Sequence, residues 1–177
     1  MTEKIIILDF GSQYTQLIAR KVRECNVYCE ILPYHNTFQD SGDIKGIILS
    51  GSPFSVNDSN APDIDLWSLT HKYPILGICY GAQLTAKKMG GRVEKSEKRE
   101  YGRAILHKQK EDILFKNISP AGQVWMSHGD SIIDLPPGFQ IIAVTESIPV
   151  AGFKADTAQF IHPLYGLQFH QIGRAHV

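Results

Sequence analysis

A chain of 177 residues with 43% hydrophobic and 20% charged residues has the make-up of a globular domain with a full core, which excludes a disordered or fibrous protein. Eighteen Lys and Arg balance eighteen Asp and Glu, so no basic excess points to nucleic acid or to an anionic membrane surface. The three cysteines, Cys25, Cys29 and Cys79, form no C-x-x-C pair and no zinc spacing, so no metal is expected and a reducing, cytoplasmic setting fits.

Ile5-Ile6-Ile7-Leu8 is too short for a signal-peptide core or a membrane span and reads as a strand buried on both faces. Ser12 is a candidate cap for a helix in which Tyr14, Leu17, Ile18, Val22 and Cys25 recur at helical spacing. Val27 to Leu32 and Gly46 to Ser50 are further strands. Gly51 to Pro62, rich in Gly, Ser, Asn and Pro, is loop. A helix follows over Asp63 to Lys72, then a strand over Pro74 to Ile78, then a helix over Ala82 to Met89 stopped by Gly90-Gly91. This alternation predicts an α/β fold: an open, mostly parallel twisted sheet flanked by helices. Beyond Arg99 the segments are short and strand-like (Ala104 to His107, Val124 to Met126, Ile141 to Val144, Val150 to Lys154, Leu164 to Phe169), which predicts antiparallel additions. The mixed-charge stretch Arg92 to Arg99 reads as a solvated face, and Trp67 and Trp125 as packing residues.

Gly77-Ile78-Cys79-Tyr80-Gly81 has the G-x-nucleophile-x-G form, placed between a predicted strand and a predicted helix. There Cys79 would stand on a sharp turn near a helix N-terminus, whose partial positive charge favours thiolate. The Tyr80 N–H would face a developing oxyanion. On the pentapeptide alone, a buried structural cysteine is the competing reading. A thiol nucleophile needs a base, and seven histidines are available: His35, His71, His107, His128, His162, His170 and His176. His170 ends a strand, where α/β sites gather, but spacing alone does not select it. Leu49-Ser50-Gly51-Ser52-Pro53 is a small-residue turn after a strand, suited to anion binding or simply a tight loop.

Taken together, Leu8-Asp9-Phe10-Gly11-Ser12-Gln13-Tyr14, Gly46 to Pro53, Leu76 to Gln83, Arg99-Glu100-Tyr101-Gly102, Trp125 to Asp130 and Gly166 to His170 resemble, in order, the motifs of class I glutamine amidotransferases. The opening segment is most similar to the glutaminase domain of the GMP synthase family and is unlike the opening of anthranilate synthase glutaminases. The resemblance implies that Cys79 attacks the side-chain amide of glutamine and that His170 moves the proton. It implies an oxyanion hole of Gly51, Ser52 and Tyr80, with the family's second glycine replaced by Ser52. Gln83, Ser127, His128, Gly129 and Asp130 would hold the substrate's α-groups, and Glu100 and Tyr101 would lie near the pocket. No metal or cofactor is implied in this domain. A partner ATP-pyrophosphatase domain, in cis or on a separate chain, would use ATP and Mg²⁺ to activate XMP, and no Gly-rich phosphate loop for it occurs here.

After His170 the family reads Pro and then the triad Glu, whereas this chain has Gln171 and Ile172. Glutaminase activity is therefore expected to be impaired, and a non-catalytic regulator is the alternative from another class. Ile172-Gly173-Arg174-Ala175-His176-Val177 is also the translation of ATC GGA AGA GCA CAC GTC, a run shared with a common sequencing adapter. The expectation is a glutaminase domain over 1–170, a non-native tail over 171–177 and a missing synthetase domain.

Overall fold

The apolar run after Lys4 forms strand β1 (Lys4–Asp9) in the computed structural model, which describes residues 2–40 and 42–171, with the backbone alone at 97–101 and 171. Side chains alternate across a strand, so Ile5 and Ile7 face one layer while Ile6 and Leu8 face the other. Ile7 packs with Ala19, Cys29, Ile18 and Val22 under helix α1 (Thr15–Glu24). Ile6 and Leu8 join the main core with Ile47, Leu49, Leu66 and Leu84, beneath α2 (Leu66–Thr70) and α3 (Tyr80–Lys88). This two-sided burial is why the sequence shows a continuous apolar run.

Parallel pairing joins β2 (Tyr28–Pro33), β1, β3 (Ile44–Leu49), β4 (Ile75–Ile78) and β9 (Leu164–Leu167), in that spatial order. The sheet continues antiparallel through β8 (Gly152–Ala155), β7 (Phe139–Val144), β5 (Arg92–Lys108), β6 (Ala121–Asp134) and β10 (Phe169–Gln171). The α/β class with antiparallel additions is observed, and the additions make up half of the described strands. A second core of Leu106, Phe115, Val124, Met126, Ile142 and Phe169 sits in this part, closed by the 3₁₀ turn Ile113–Phe115. Among the described residues no helix is long and apolar enough to cross a membrane.

Several local expectations are corrected. In α1 the buried positions are Thr15 and Ala19, while Leu17 is 54% exposed and Cys25 lies outside. The small Ala19 lets the helix approach the sheet, which rotates Leu17 outward. Ser12 does not cap α1; its Oγ accepts from Tyr14 N at 3.0 Å, one step earlier. The helix over 63–72 shrinks to α2, because Asp65 caps it by accepting from Ser68 N. The stretch 92–99 belongs to β5, its residues Arg92 to Lys95 paired with β6, and its described charged side chains Arg92, Glu94 and Lys95 are exposed, as expected of a solvated face. Charged side chains there read as solvent-facing, yet the backbone is held by a ladder that residue type does not reveal. Trp67 is 59% and Trp125 39% exposed, so neither is a core residue, although Trp67 sets its ring edge-on to His71 and Phe160.

Candidate active site

The turn from β4 into α3 places Cys79 at φ 49° and ψ −107°, in the left-handed region that a side chain enters only under constraint. The constraint comes from both sides. Cys79 N donates to Leu167 O at 2.7 Å and Gly81 N donates to Ser50 O at 3.1 Å, so β9 and the end of β3 grip the turn. The two flanking glycines are required by space. A Cβ on Gly77 would stand 2.6 Å from the Gly81 carbonyl, and one on Gly81 would stand 2.5 Å from Leu49 O. This close approach lets α3 begin two residues earlier than the sequence suggests, directly after the nucleophile. Tyr80 is therefore the first residue of α3, and helical geometry leaves its N–H without an intrahelical acceptor.

His170 arrives from the other end of the chain. Its Nε2 lies 3.2 Å from Cys79 Sγ, within hydrogen-bonding reach. The strand expected over 164–169 is in fact two strands, broken at Gln168. β9 pairs with β4 and β8, whereas β10 pairs with β6 through His170↔Trp125. The break swings His170 over the nucleophile. His170 thus lies within a short strand and not beyond the end of one, and His128 lies inside β6.

Gln168 is a site residue that the sequence reading missed. It is fully buried, and its backbone N–H donates to Ala151 O at 2.8 Å. Its Nε2 donates to Val150 O at 3.1 Å, its Oε1 accepts from Gln83 Nε2 at 3.1 Å, and its carbonyl faces Cys79 Sγ at 3.8 Å. The available signal was a lone amide inside the apolar strand Leu164–Phe169, since a buried polar side chain must find partners.

A cleft of about 740 Å³ opens over the pair. Cys79, His170, Gly51, Ser52, Tyr80, Gln83, Ser127, His128, Gly129 and Asp130 all line it, so the structure brings every predicted site residue with a described side chain together. Gly11, Ser12, Gln13, Tyr14, Ser55, Asp58 and Lys95 line it too, none of them singled out from the sequence as a site residue. The backbones of Glu100 and Tyr101 pair with His128 and Ser127, and their side chains lie outside the described residues, as does Ile172.

Each wall of the cleft is fixed by local bonds. Ser50 is fully buried; its Oγ accepts from Phe10 N at 3.0 Å and donates to Gly51 O at 2.9 Å, which locks the Gly51–Ser52 turn against β1. A Cβ on Gly51 would stand 3.8 Å from Cys79 Cβ, so this turn is immediately beside the nucleophile. Asp130 accepts from the Ser55 hydroxyl, and its carbonyl accepts from Gln83 Nε2 at 2.8 Å. Both Gln83 amide hydrogens are thereby engaged within the protein, leaving its Oε1 as the further acceptor.

The electrostatics correct one expectation. Burial pushes the Cys79 thiol up to about 12 from its ordinary 9.0, opposing the thiolate that a helix N-terminus favours. Burial also holds the His170 imidazole below its usual range, and the nearby His128 adds to this. Both shifts favour a neutral thiol hydrogen-bonded to a neutral imidazole at rest.

Residues 6–171 match the family model of glutamine amidotransferase class-I. The chain belongs to this family. It is 58% identical over 171 residues to the GMP synthase [glutamine-hydrolyzing] of Cytophaga hutchinsonii, covering 96% of this chain and 33% of that one. The corresponding enzyme of Bacteroides fragilis is 52% identical with the same coverage. The chain therefore spans about a third of the length of the curated relatives it matches. Among solved structures, a candidate GMP synthase component from Thermoplasma acidophilum superposes with TM-score 0.79 at 33% identity, covering 96% of this chain and 84% of that one. A glutamine amidotransferase of Thermotoga maritima shares the fold, with TM-score 0.76 at 21% identity, covering 96% and 76% of the two chains. In this class I amidotransferase five of the six motifs contribute residues to the walls of one cleft; Arg99 to Gly102 is not among its described lining.

Proposed function

We propose that this chain is the glutaminase portion of a glutamine-hydrolysing GMP synthase. The observation that carries the reading is the 3.2 Å approach of Cys79 Sγ and His170 Nε2 on a constrained turn, inside a cleft with backbone donors on one side. Cys79 Sγ attacks the amide carbon of the glutamine side chain while its proton passes to His170 Nε2. The oxyanion that forms faces the Tyr80 N–H and the Gly51–Ser52 turn. Loss of one such donor typically costs about 10²–10³ in rate. The imidazolium returns the proton to the leaving nitrogen, so ammonia departs and a γ-glutamyl thioester remains. Water then gives a proton to His170 and attacks the thioester, and the released thiolate regains that proton. Asp130 has the charge to hold the substrate's α-ammonium group, and Lys95 the charge to hold its α-carboxylate. Gln83 fixes the Asp130 backbone.

The ammonia would serve ATP-dependent amination of XMP to GMP on a synthetase domain, where ATP and Mg²⁺ would be held, in cis or on a separate chain. That step lies beyond this chain's own residues. The relatives, three times as long, accommodate such a domain.

Ile172 stands where the family resemblance places the triad carboxylate, so the activity is reduced in the chain as written. A neutral resting pair makes this matter, because the imidazolium forms only during attack and Ile172 brings it no negative charge. The test is glutamine hydrolysis by the chain, by Cys79→Ala and by the double variant Gln171→Pro/Ile172→Glu. The expected results are slow turnover, none, and a gain of up to about 10⁴-fold, the scale on which an orienting carboxylate acts. A double variant that is inert even with a synthetase domain, XMP and ATP present would overturn the enzyme reading in favour of a non-catalytic regulator.

A further inference from the structure

The ring of Tyr14 lies against the imidazole of His170, centroid to centroid at 4.5 Å with the planes inclined by 43°. Tyr14 belongs to the β1–α1 loop, and that loop is held firmly. Asp9 Oδ1 accepts from Gly11 N at 2.9 Å and from the buried Thr15 hydroxyl at 2.8 Å. Tyr14 N donates to Ser12 Oγ at 3.0 Å, and Tyr14 O accepts from Ile18 N at 3.0 Å in the first turn of α1. The ring is therefore presented from a fixed backbone.

The surroundings of His170 make such a ring chemically useful. Cys79 Sγ faces the imidazole from the β4–α3 turn, and His128 on β6 opposes a second positive charge. The same cleft is lined by the charged side chains of Lys95 on β5, Asp58 and Asp130. Asp130 is occupied by the Ser55 hydroxyl, and Asp58 accepts from Ser55 N at 2.9 Å. An aromatic face attracts a cation within about 6 Å of its centroid, and it also restricts how an imidazole can turn.

We propose that Tyr14 is a positioning residue of the glutaminase reaction, its ring holding the His170 imidazole toward Cys79 and stabilising the imidazolium formed during thiol attack. The proposal rests on the glutaminase reading above, and it assigns a role to a residue outside the nucleophile, base and oxyanion hole. The ring, not the hydroxyl, performs this role, because the contact is between ring centroids.

The experiment compares the chain with Tyr14→Phe and Tyr14→Leu, all carrying Cys25→Ser to remove the exposed thiol. Two quantities are read: kcat and KM for glutamine hydrolysis, and the pH dependence of Cys79 alkylation by iodoacetamide, which needs no turnover. Tyr14→Phe is expected to stay within about twofold in both. Tyr14→Leu is expected to lower kcat by about 3- to 30-fold, the range a cation–π contact supports, with KM within about twofold. Its alkylation midpoint, set by loss of the His170 proton, moves to lower pH, since the imidazolium has lost the ring that stabilised it. A purely structural role would leave that midpoint in place. The proposal is overturned if Tyr14→Leu keeps the parent's kcat and alkylation profile, or if Tyr14→Phe is as impaired as Tyr14→Leu. Alkylation that shifts as expected while neither the parent nor its Gln171→Pro/Ile172→Glu variant hydrolyses glutamine supports the ring–imidazole coupling and overturns the glutaminase reading instead.

Discussion

Gln83 Nε2 donates to Gln168 Oε1 at 3.1 Å, joining helix α3 to the break between β9 and β10. The two amides form a buried bracket around the Cys79–His170 pair. Gln168→Leu removes an acceptor from Gln83 and a donor from Val150 O, leaving buried groups unsatisfied at about 1–3 kcal/mol each. We expect a total loss of about 3 kcal/mol in urea unfolding, with glutaminase kcat/KM falling as His170 leaves its place. Unchanged stability would show that the bracket does not hold the break.

Gly81→Ala tests the tight approach of α3 to β3. Inside an exposed helix, Gly to Ala normally stabilises by about 1 kcal/mol. Here the new methyl would sit 2.6 Å from Leu49 Cβ and 2.5 Å from Leu49 O, and neither backbone can yield freely. The expected sign is reversed, to a loss of about 1–3 kcal/mol or more by the urea midpoint.

Stability should be greatest between roughly pH 7 and 9, for two separable reasons. Burial lowers the His170 pKa in the native state, so below the ordinary 6.5 the unfolded chain binds the proton more readily and stability falls with falling pH. Burial raises the Cys79 pKa to about 12, so above 9.0 the unfolded chain loses its proton more readily and stability falls with rising pH. Thermal melts from pH 5 to 10 should show both declines. His170→Gln should flatten the acid limb, and Cys79→Ala the alkaline limb.

Asp112 organises the second core. Its carboxylate accepts from Lys154 Nζ at 2.6 Å, Tyr165 OH at 2.9 Å and Leu114 N at 3.0 Å. Burial alone would raise its pKa, but the Lys154, Leu114 and Tyr165 bonds outweigh it and hold the carboxyl below the usual range. Asp112→Ala strips three donors of one acceptor and should cost about 3–5 kcal/mol. Tyr165→Phe removes only one bond and should cost about 1 kcal/mol. Urea unfolding of the two variants checks the order.

The parallel half of the sheet was legible because two-sided burial writes itself as unbroken apolar runs, as in Ile5–Leu8 and Gly46–Leu49. The nucleophile was legible because two glycines around Cys79 answer a steric demand at a strand–helix turn. The antiparallel half was less so. β5 and β6 carry charged and small residues over much of their length, and their pairing is set by backbone ladders over residues far apart in the chain. The break at Gln168 was hidden for a related reason: its partners, Gln83, Val150 and Ala151, come from three other segments. Leu17 was misplaced because helical spacing fixes which residues share a face, while Ala19 decides which face the sheet accepts.

The placement of β9 between β4 and β8 has a bearing on how the molecule comes into being. Ribosomes deliver residues 164–171 last among those described, yet β9 occupies the middle of the sheet, and the edge strand β10 that follows it supplies His170. Until they thread in, β4 and β8 present two open edges, and the reactive sulfur has no imidazole beside it. Closing that slot is a long-range step of the kind that slows folding and exposes aggregation-prone edges. The nascent protein is thus chemically silent until its final central strand is seated, and any arrest before residue 164 yields a chain with a nucleophile but no base.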